Sequence, residues 1–333
     1  MDATPIIPDG KPAVKLSVVV PCYNEEAVLP ETGKRMTALF ERLAGEGSIA
    51  AESEILLVDD GSRDGTWRVI QELAAASGWI RGLKLSRNRG HQIALLAGLN
   101  AAKGEAAISI DADLQDDIEV MAQMVEAYRA GKDVVFGVRK RRDTDTWFKR
   151  TSAELYYRLL GAMGVDVVFN HADYRLLSRR ALEALKRYRE TNLFLRGIIP
   201  QIGFPSSVVY YDRTERFAGE SKYPLRKMLA FAWQGITAFS PAPLRAITGL
   251  GAVISLGSFV AAAWAAWTVF FTDAAVPGWA STVLPLYFLG GIQLLGLGVI
   301  GEYLAKIYAE SKRRPLYFIE AEATRPAKLT AED

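Results

Sequence analysis

Two long stretches near the C-terminal end carry no charge, and they restrict the fold more than any other feature of the chain. No Asp, Glu, Lys or Arg occurs between Ala246 and Thr272, nor between Ala274 and Gly301. Each stretch exceeds the roughly 20 apolar residues that cross about 30 Å of hydrocarbon as a helix. A pair of buried core helices is the alternative, but helices of soluble proteins rarely stay uncharged on every face for so long. The sequence therefore predicts two transmembrane helices within residues 244–305. Arg226, Lys227 and Arg245 precede the first stretch, and Lys306, Lys312, Arg313 and Arg314 follow the second. The connection Asp273–Ser281 has no base. The positive-inside bias then places both termini in the cytoplasm, with a short turn outside, as expected of a multi-pass protein of the inner (plasma) membrane. Residues 1–14 are expected to be a flexible N-terminus, and the first of them lack the apolar core of a cleaved signal peptide.

The chain has 333 residues, enough for one full α/β domain in addition to the spans. Its formal net charge of +2 is too near neutral for a nucleic-acid binder. A single cysteine, Cys22, excludes an internal disulfide and suits a reducing compartment. Along the N-terminal half, short β-branched or apolar runs at Leu16–Val20, Glu54–Val58, Leu83–Leu85, Ala106–Ile110 and Asp133–Val138 predict strands. Helical stretches lie between them, one running to about Ala44 and others at Thr66–Ala76, His91–Ala102 and Ile118–Ala130. This alternation predicts βαβ units and a mostly parallel sheet covered on both faces. Ligands of such sheets bind beyond the carboxyl ends of the strands. The polar clusters Pro21–Glu25, Asp59–Ser62 and Asp111–Gln115 fall there.

Asp111 and Asp113 close the fourth strand, with Gln115 two residues on. If the extended geometry persists, alternation turns both carboxylates to one side, where they repel unless a cation lies between them. Oxygen ligands at a partly open site suit Mg²⁺ or Mn²⁺, with phosphate oxygens completing the shell. An Asp-x-Asp pair is weak by itself, because Asp also caps helices. Tyr23 can stack on a base and Glu25 can accept from a ring N–H or a ribose; a proline turn opening an acidic helix start reads equally well. Gly296–Gly301 matches G-x-G-x-x-G but follows no strand and lies inside the second span, where small residues serve helix packing. Trp147–Met163 and Tyr223–Phe239 mix aromatic and basic residues, as segments lying in a headgroup layer do.

Taken together, Val18–Glu26, Val58–Ser62 and Asp111–Gln115 resemble the family-2 inverting glycosyltransferases of the GT-A fold. Arg87–His91, Ala172–Leu176 and Phe217–Tyr223, followed by two spans, resemble the polyprenyl-phosphate branch of that family, near dolichol-phosphate mannose synthases and bacterial polyprenyl-phosphate glucosyltransferases. The resemblance runs from about Leu16 to Ile319. It implies a GT-A catalytic domain at 15–222, an amphipathic interface helix at 223–243, the two spans, and a cytoplasmic tail at 306–333. It implies nucleotide contacts from Pro21, Tyr23, Glu25, Val58, Asp60, Asp111 and Ala112. Metal and diphosphate binding would fall to Asp111, Asp113 and Gln115, and acceptor phosphate binding to Arg139, Arg150, Arg175 and Lys222. Asp173, Arg139 and Lys222 are the implied catalytic residues. Asp173 stands open between a base, an orienting group for the acceptor and a plain partner of Arg175.

The implied reaction moves a hexose from a nucleotide diphosphate sugar to a polyprenyl phosphate, such as undecaprenyl phosphate, for cell-envelope glycan modification. UDP-glucose is the favoured donor, with GDP-mannose, UDP-N-acetylhexosamine and amino-sugar donors as alternatives. The partners expected are the nucleotide sugar, the polyprenyl phosphate and the lipid bilayer; a homo-oligomer stays open, and nucleic acid is excluded. A processive polysaccharide synthase would carry a Gln-x-x-Arg-Trp signature, which this chain lacks. A non-catalytic nucleotide-sugar-binding scaffold is the reading from another class, against which the complete set of acidic and basic residues argues.

Overall fold

The computed structural model describes residues 12–139, 171–191, 193–212, 242–271 and 279–325. The chain divides into two compact units, one built from Met1–Arg158, Asp166–Lys222 and Arg314–Asp333, the other from Leu159–Val165 and Tyr223–Arg313.

The first unit begins as the sequence predicts. Strand β1 (Leu16–Cys22) leads to helix α1 (Leu29–Gly45), β2 (Glu54–Asp59) to α2 (Thr66–Ala76), and β3 (Ile80–Leu85) to α3 (His91–Ala101). Then come β4 (Ala106–Ser109), α4 (Val120–Arg129) and β5 (Val134–Arg139). Every residue of β1 is buried, as expected of a central strand covered on both faces. On α1, Leu29, Met36, Leu39, Phe40 and Leu43 recur at helical spacing and are buried, and Phe40 meets the edge of Trp79 with ring centroids 5.6 Å apart. Helix α3 approaches the sheet closely at Gly98, where a Cβ would stand 2.3 Å from Val19 Cγ1.

The second half of the unit departs from the βαβ pattern. β6 (His171–Ser178) is followed by the short helices α5 (Arg179–Leu185) and α6 (Leu195–Gln201), and then by β7 (Ser206–Tyr211). β6 enters the sheet antiparallel to both β4 and β5, whereas β7 runs parallel to β5. The final strand, β8 (Ile319–Ala323), pairs antiparallel with β3. The eight strands lie in the order β7-β5-β6-β4-β1-β2-β3-β8, a mostly parallel α/β sheet.

Three expectations need correction here. The segment 306–333 is not simply a tail, because β8 closes the sheet edge at β3 with ion pairs from Lys84 to Glu320 and from Arg81 to Glu322. Val14, expected in the flexible N-terminus, is buried and bridges Ile49. β4 stops at Ser109, so Asp111 and Asp113 lie in the turn after the strand and not on its extended end.

The second unit contains helix α7 (Ala242–Phe271) and helix α8 (Trp279–Ser311), of 30 and 33 residues. Both leave large apolar side chains exposed, among them Val253, Leu256 and Trp264 on α7 and Leu286, Leu294 and Leu297 on α8. Among the described residues one segment, Phe288–Ser311, is long and apolar enough to cross a membrane. Gly296–Gly301 lies within α8, and a Cβ on Gly296 would come within 3.4 Å of Ile247 on α7, as expected for small residues that admit a neighbouring helix. The amphipathic segments expected at Trp147–Met163 and Tyr223–Phe239 lie outside the described residues.

Candidate functional site

The carboxyl ends of β1 and β2 are held as one piece. Pro21 and Val58 face each other in the parallel register, both buried, and Asp60 N donates to Cys22 O across 2.9 Å. Beyond the strands, Asn24 N donates to Ser62 Oγ and Arg63 N donates to Asn24 Oδ1. Glu25 N donates to Thr66 Oγ1 across 2.8 Å. Tyr23 stays 40% exposed at the mouth of this loop pair, so its ring is open to a ligand.

Asp60 organises the next loop. Its Oδ1 and Oδ2 accept the backbone amides of Arg89 and Gly90 at 2.7 and 2.8 Å. Burial raises its pKa above the ordinary 3.8, and the two amides pull it back. Gly61 beside it has φ +64°, and a Cβ there would lie 2.6 Å from both Arg87 C and Asn88 N, so two backbones touch where only glycine fits.

The turn with Asp111, Ala112 and Asp113 is pinned from below and from within. Thr32 Oγ1 on α1 reaches Ala112 O, and Gln115 N donates to Asp113 Oδ1 across 3.2 Å. Leu114 takes φ +55°, an uncommon value for a branched residue, just where the carboxylates are presented. Buried Asp116 follows, gripped by Arg139 Nη2 at 3.0 Å and by Tyr211 Oη, which donates across 2.7 Å. Arg139 thus stands at the end of β5 with its guanidinium partly exposed and its orientation set by Asp116 and Tyr211.

β6 brings the remaining groups. Asp173 is paired with Arg175 and, through both oxygens, with Arg196 of α6: Nε to Oδ1 at 3.2 Å and Nη2 to Oδ2 at 2.9 Å. His91, the first residue of α3, lies between two carboxylates, its Nε2 being 3.5 Å from Asp111 Oδ1 and 3.6 Å from Asp173 Oδ2. Burial alone would raise the Asp173 pKa; His91, Arg175 and Arg196 outweigh it and hold the carboxyl well below its ordinary range. The opposite holds at Asp111. Loss of water raises its pKa, His91 lowers it, and Asp173, Asp116 and Asp113 raise it further.

The sequence-predicted residues therefore divide. Pro21, Tyr23, Glu25, Val58 and Asp60 gather at the ends of β1 and β2. Asp111, Ala112, Asp113, Gln115, Arg139 and Asp173 lie on the neighbouring strand ends and turns. Arg150 and Lys222 lie outside the described residues. Arg175 does not suit direct contact with an acceptor phosphate. Its side chain is 1% exposed, paired with Asp173, with Nη1 directed at Leu195 O, so it supports Asp173 from within the sheet.

His91, Arg196, Asp116 and Tyr211 were not among the expected site residues. The Arg87–His91 motif was a signal for the first, and Asp116 directly follows Gln115 in the acidic turn; Arg196 and Tyr211 reach the site only through tertiary contacts.

No ready cage of three or more His, Cys, Asp or Glu side chains converges on a metal position among the described residues. What exists is an open acidic edge. Asp111 Oδ1 is buried without a hydrogen-bond partner, and its charge is disfavoured by three nearby carboxylates. That donor set fits a hard divalent cation that takes the rest of its shell from phosphate oxygens, as Mg²⁺ and Mn²⁺ do.

The family model described as "Glycosyl transferase family 2" matches residues 17–186. The uncharacterized glycosyltransferase YkoT of Bacillus subtilis is 52% identical over 309 residues, which cover 92% of this chain and 91% of that protein. A prophage bactoprenol glucosyl transferase homolog of Escherichia coli is 40% identical, covering 92% of this chain and 99% of its own. The bactoprenol glucosyl transferase of Shigella phage SfV is 41% identical, covering 93% and 99%.

Proposed function

This chain belongs to the family-2 glycosyltransferases of the GT-A fold, and we propose that it transfers a hexose from a nucleotide diphosphate, UDP-glucose first among the donors, to a polyprenyl phosphate. The observation that carries the reading is the meeting of an acidic edge, Asp111 and Asp113, with the cationic cluster around Asp173. Such a site suits two phosphate-bearing substrates, one reached through a cation and the other directly. The names of the relatives, bactoprenol glucosyl transferases, support the lipid acceptor and the glucosyl donor.

In this reading the β1–β2 loops receive the nucleotide, with Tyr23 against the base and Asp60 fixing the loop that frames it. Asp111 and Asp113, with Gln115 nearby, would hold the divalent cation. When bound, Mg²⁺ or Mn²⁺ supplies a counter-charge for the departing diphosphate. An oxygen of the acceptor phosphate attacks the anomeric carbon, the bond from that carbon to the donor phosphate breaks, and the nucleotide diphosphate leaves with the electron pair. Attack opposite the leaving group inverts the centre. The phosphate oxygen is already anionic near neutral pH and needs no proton removed. The difficulty is electrostatic: two anions must approach, and fixed cations lower that barrier. Arg139, oriented by Asp116 and Tyr211, and Lys222 and Arg150 from the segments that follow, are assigned to the acceptor phosphate.

Helices α7 and α8 are both assigned to the bilayer, supported by the uncharged stretches they contain, from Ala246 and up to Gly301, and by their exposed apolar side chains. At about 1.5 Å per residue both exceed the hydrocarbon thickness. The basic flanks support a cytoplasmic side for the catalytic unit.

A panel of radiolabelled nucleotide sugars, incubated with membranes holding the protein and undecaprenyl phosphate, tests the reading. Label from UDP-glucose should pass into the organic phase as a lipid-linked product. Transfer to a soluble acceptor alone would overturn it.

A further inference from the structure

Among the described residues, Arg89, Arg129 and Arg175 each have a buried Nε with no hydrogen-bond partner. Two of these side chains are held by their other nitrogens. Arg129 Nη2 donates to Gly47 O and Ser48 O, and Arg175 Nη2 pairs with Asp173. Arg89 differs, because no atom of its guanidinium makes a hydrogen bond or an ion pair among the described residues. Arg87, two residues earlier, is exposed, so water satisfies it. Arg89 is half-buried, and a buried donor without an acceptor is uncommon in a folded protein.

The backbone around Arg89 is fixed at the proposed donor site. Arg89 N donates to Asp60 Oδ1 at 2.7 Å, and Gly90 N donates to Asp60 Oδ2 at 2.8 Å. Asp60 is itself joined to β1 through Cys22 O. Two residues after Arg89, His91 Nε2 lies 3.5 Å from Asp111 Oδ1. Residues 89–91 thus run from the strand ends assigned to the nucleoside to the turn assigned to the cation and the diphosphate. A planar guanidinium with all its donors free suits phosphate oxygens. The lipid phosphate is a second source of the same chemistry. The contacts with Asp60 favour the donor, since Arg139, assigned to the acceptor, stands at the end of β5, and β6, β4 and β1 separate β5 from β2.

We propose that Arg89 binds a phosphate of the donor nucleotide. This inference rests on the proposed reaction, which supplies a nucleotide diphosphate. It also defines the part of Asp60: with both oxygens on the amides of Arg89 and Gly90, Asp60 is the positioning residue for the backbone that carries the cation.

Calorimetry on the full chain in detergent micelles, at fixed Mn²⁺, tests the inference with UDP and uridine as probes. The proteins compared are the unaltered chain, Arg89→Ala and Arg89→Lys. Arg89→Ala keeps the backbone amide that Asp60 holds. It should raise the UDP dissociation constant on the order of tenfold or more, the loss expected when a hydrogen bond between charged groups disappears. Uridine, which has no phosphate, should bind both proteins alike, and Arg89→Lys should recover part of the UDP affinity. An equal loss for uridine would mean that Arg89 serves the nucleoside or the loop alone, and would overturn the assignment. Unchanged UDP affinity with a raised KM for undecaprenyl phosphate would overturn it too, by moving Arg89 to the acceptor. If the alanine variant fails to fold, Arg89→Gln, which keeps the length and removes the charge, carries the same comparison. Should the unaltered protein bind neither UDP nor GDP, the proposed reaction falls, and the inference with it. Should it bind UDP while the Arg89 variants bind it equally well, only the inference falls.

Discussion

Thr32 Oγ1 lies 3.0 Å from Ala112 O, which ties helix α1 to the turn that presents Asp111 and Asp113. The same hydroxyl lies 3.1 Å from Val28 O, so its one proton is shared between a helical carbonyl and the turn. Both Thr32 and Ala112 are buried, and water cannot replace the bond. Thr32→Val keeps the shape and removes the donor. It should lower stability by about 1–3 kcal/mol, the cost of a buried acceptor left unsatisfied. It should also weaken nucleotide-sugar binding, because the turn loses its support. Denaturant unfolding and calorimetry check the two effects, and an unaffected donor affinity would show that the turn holds its geometry without α1.

At Gly61 the argument is about space. With φ +64° and a Cβ position 2.6 Å from Asn88 N, alanine there must displace the 87–90 loop that Asp60 holds through two amides. Gly61→Ala should cost roughly 1–3 kcal/mol in stability, from backbone strain alone. Its larger effect should be on nucleotide affinity, since β1, β2 and this loop meet at one point. A variant with normal affinity would mean that the nucleotide does not use this loop.

The pH dependence of stability has a testable source far from the reacting groups. Glu54 and Arg81 are 12% and 9% exposed, with Nε 2.9 Å from Oε2. Burial pushes the Glu54 pKa up, but Arg81, the Lys103 amide and the Ser17 hydroxyl outweigh it and leave it below the ordinary 4.5. A depressed carboxylate adds stability that is complete above its unfolded pKa and is lost as pH falls through its folded one. Glu54→Gln should therefore be less stable near pH 7 by roughly 3 kcal/mol, with a buried arginine left only its longer, more exposed pair to Glu322 at 3.5 Å. The gap to the unaltered protein should narrow as the pH drops below 4.5. Thermal melts between pH 7 and 3 give the answer; a gap that widens toward acid would assign the stabilisation elsewhere.

The same arginine reaches Glu322 on β8, which leads to the part of the fold the sequence did not reveal. β1, β2 and β4 are apolar runs buried on both faces, and such runs announce parallel strands by composition. β6 contains Asp173 and Arg175, and β8 alternates Glu with Ala and Ile, so neither has that signature. Their pairings are long-range: β8 finds β3 across most of the chain, and β6 enters between β4 and β5 in the opposite direction. The site followed the same division. Asp60 and Asp111 were legible because they sit just past predicted strands. Arg196 was not, because only the antiparallel entry of β6 and the docking of α6 bring it to Asp173.

Removing everything after Ser311 tests whether β8 belongs to the catalytic unit. Without it, β3 becomes an open edge, and Lys84 and Arg81 lose Glu320 and Glu322. The truncated chain should unfold with a loss of roughly 2–4 kcal/mol, the sum of a few backbone hydrogen bonds along the β3 edge, and should be cut faster by protease near residues 80–85. Equal stability with and without β8 would restore the reading of this segment as a tail.

The last prediction concerns the acidic edge. Asp111 has an oxygen that is buried without a hydrogen bond, and its charge is opposed by Asp173, Asp116 and Asp113. A divalent cation between Asp111 and Asp113 would relieve that repulsion and would bring nucleotide diphosphate with it. Mn²⁺ together with UDP should therefore raise the melting temperature of the unaltered protein more than either alone, because binding to the folded state stabilises by mass action. Asp113→Ala should abolish that joint effect. It should also lower the transfer rate on the order of a hundredfold or more, comparable to the removal of a major charge-stabilising group. Chelation should stop transfer, with Mg²⁺ or Mn²⁺ restoring it. His91 supplies the competing possibility: 3.5 Å from Asp111, it is itself a candidate counter-charge for that carboxylate. The melts separate the two. If UDP stabilises the protein equally with excess chelator and with Mn²⁺, and transfer persists, His91 and not a metal balances the acidic edge.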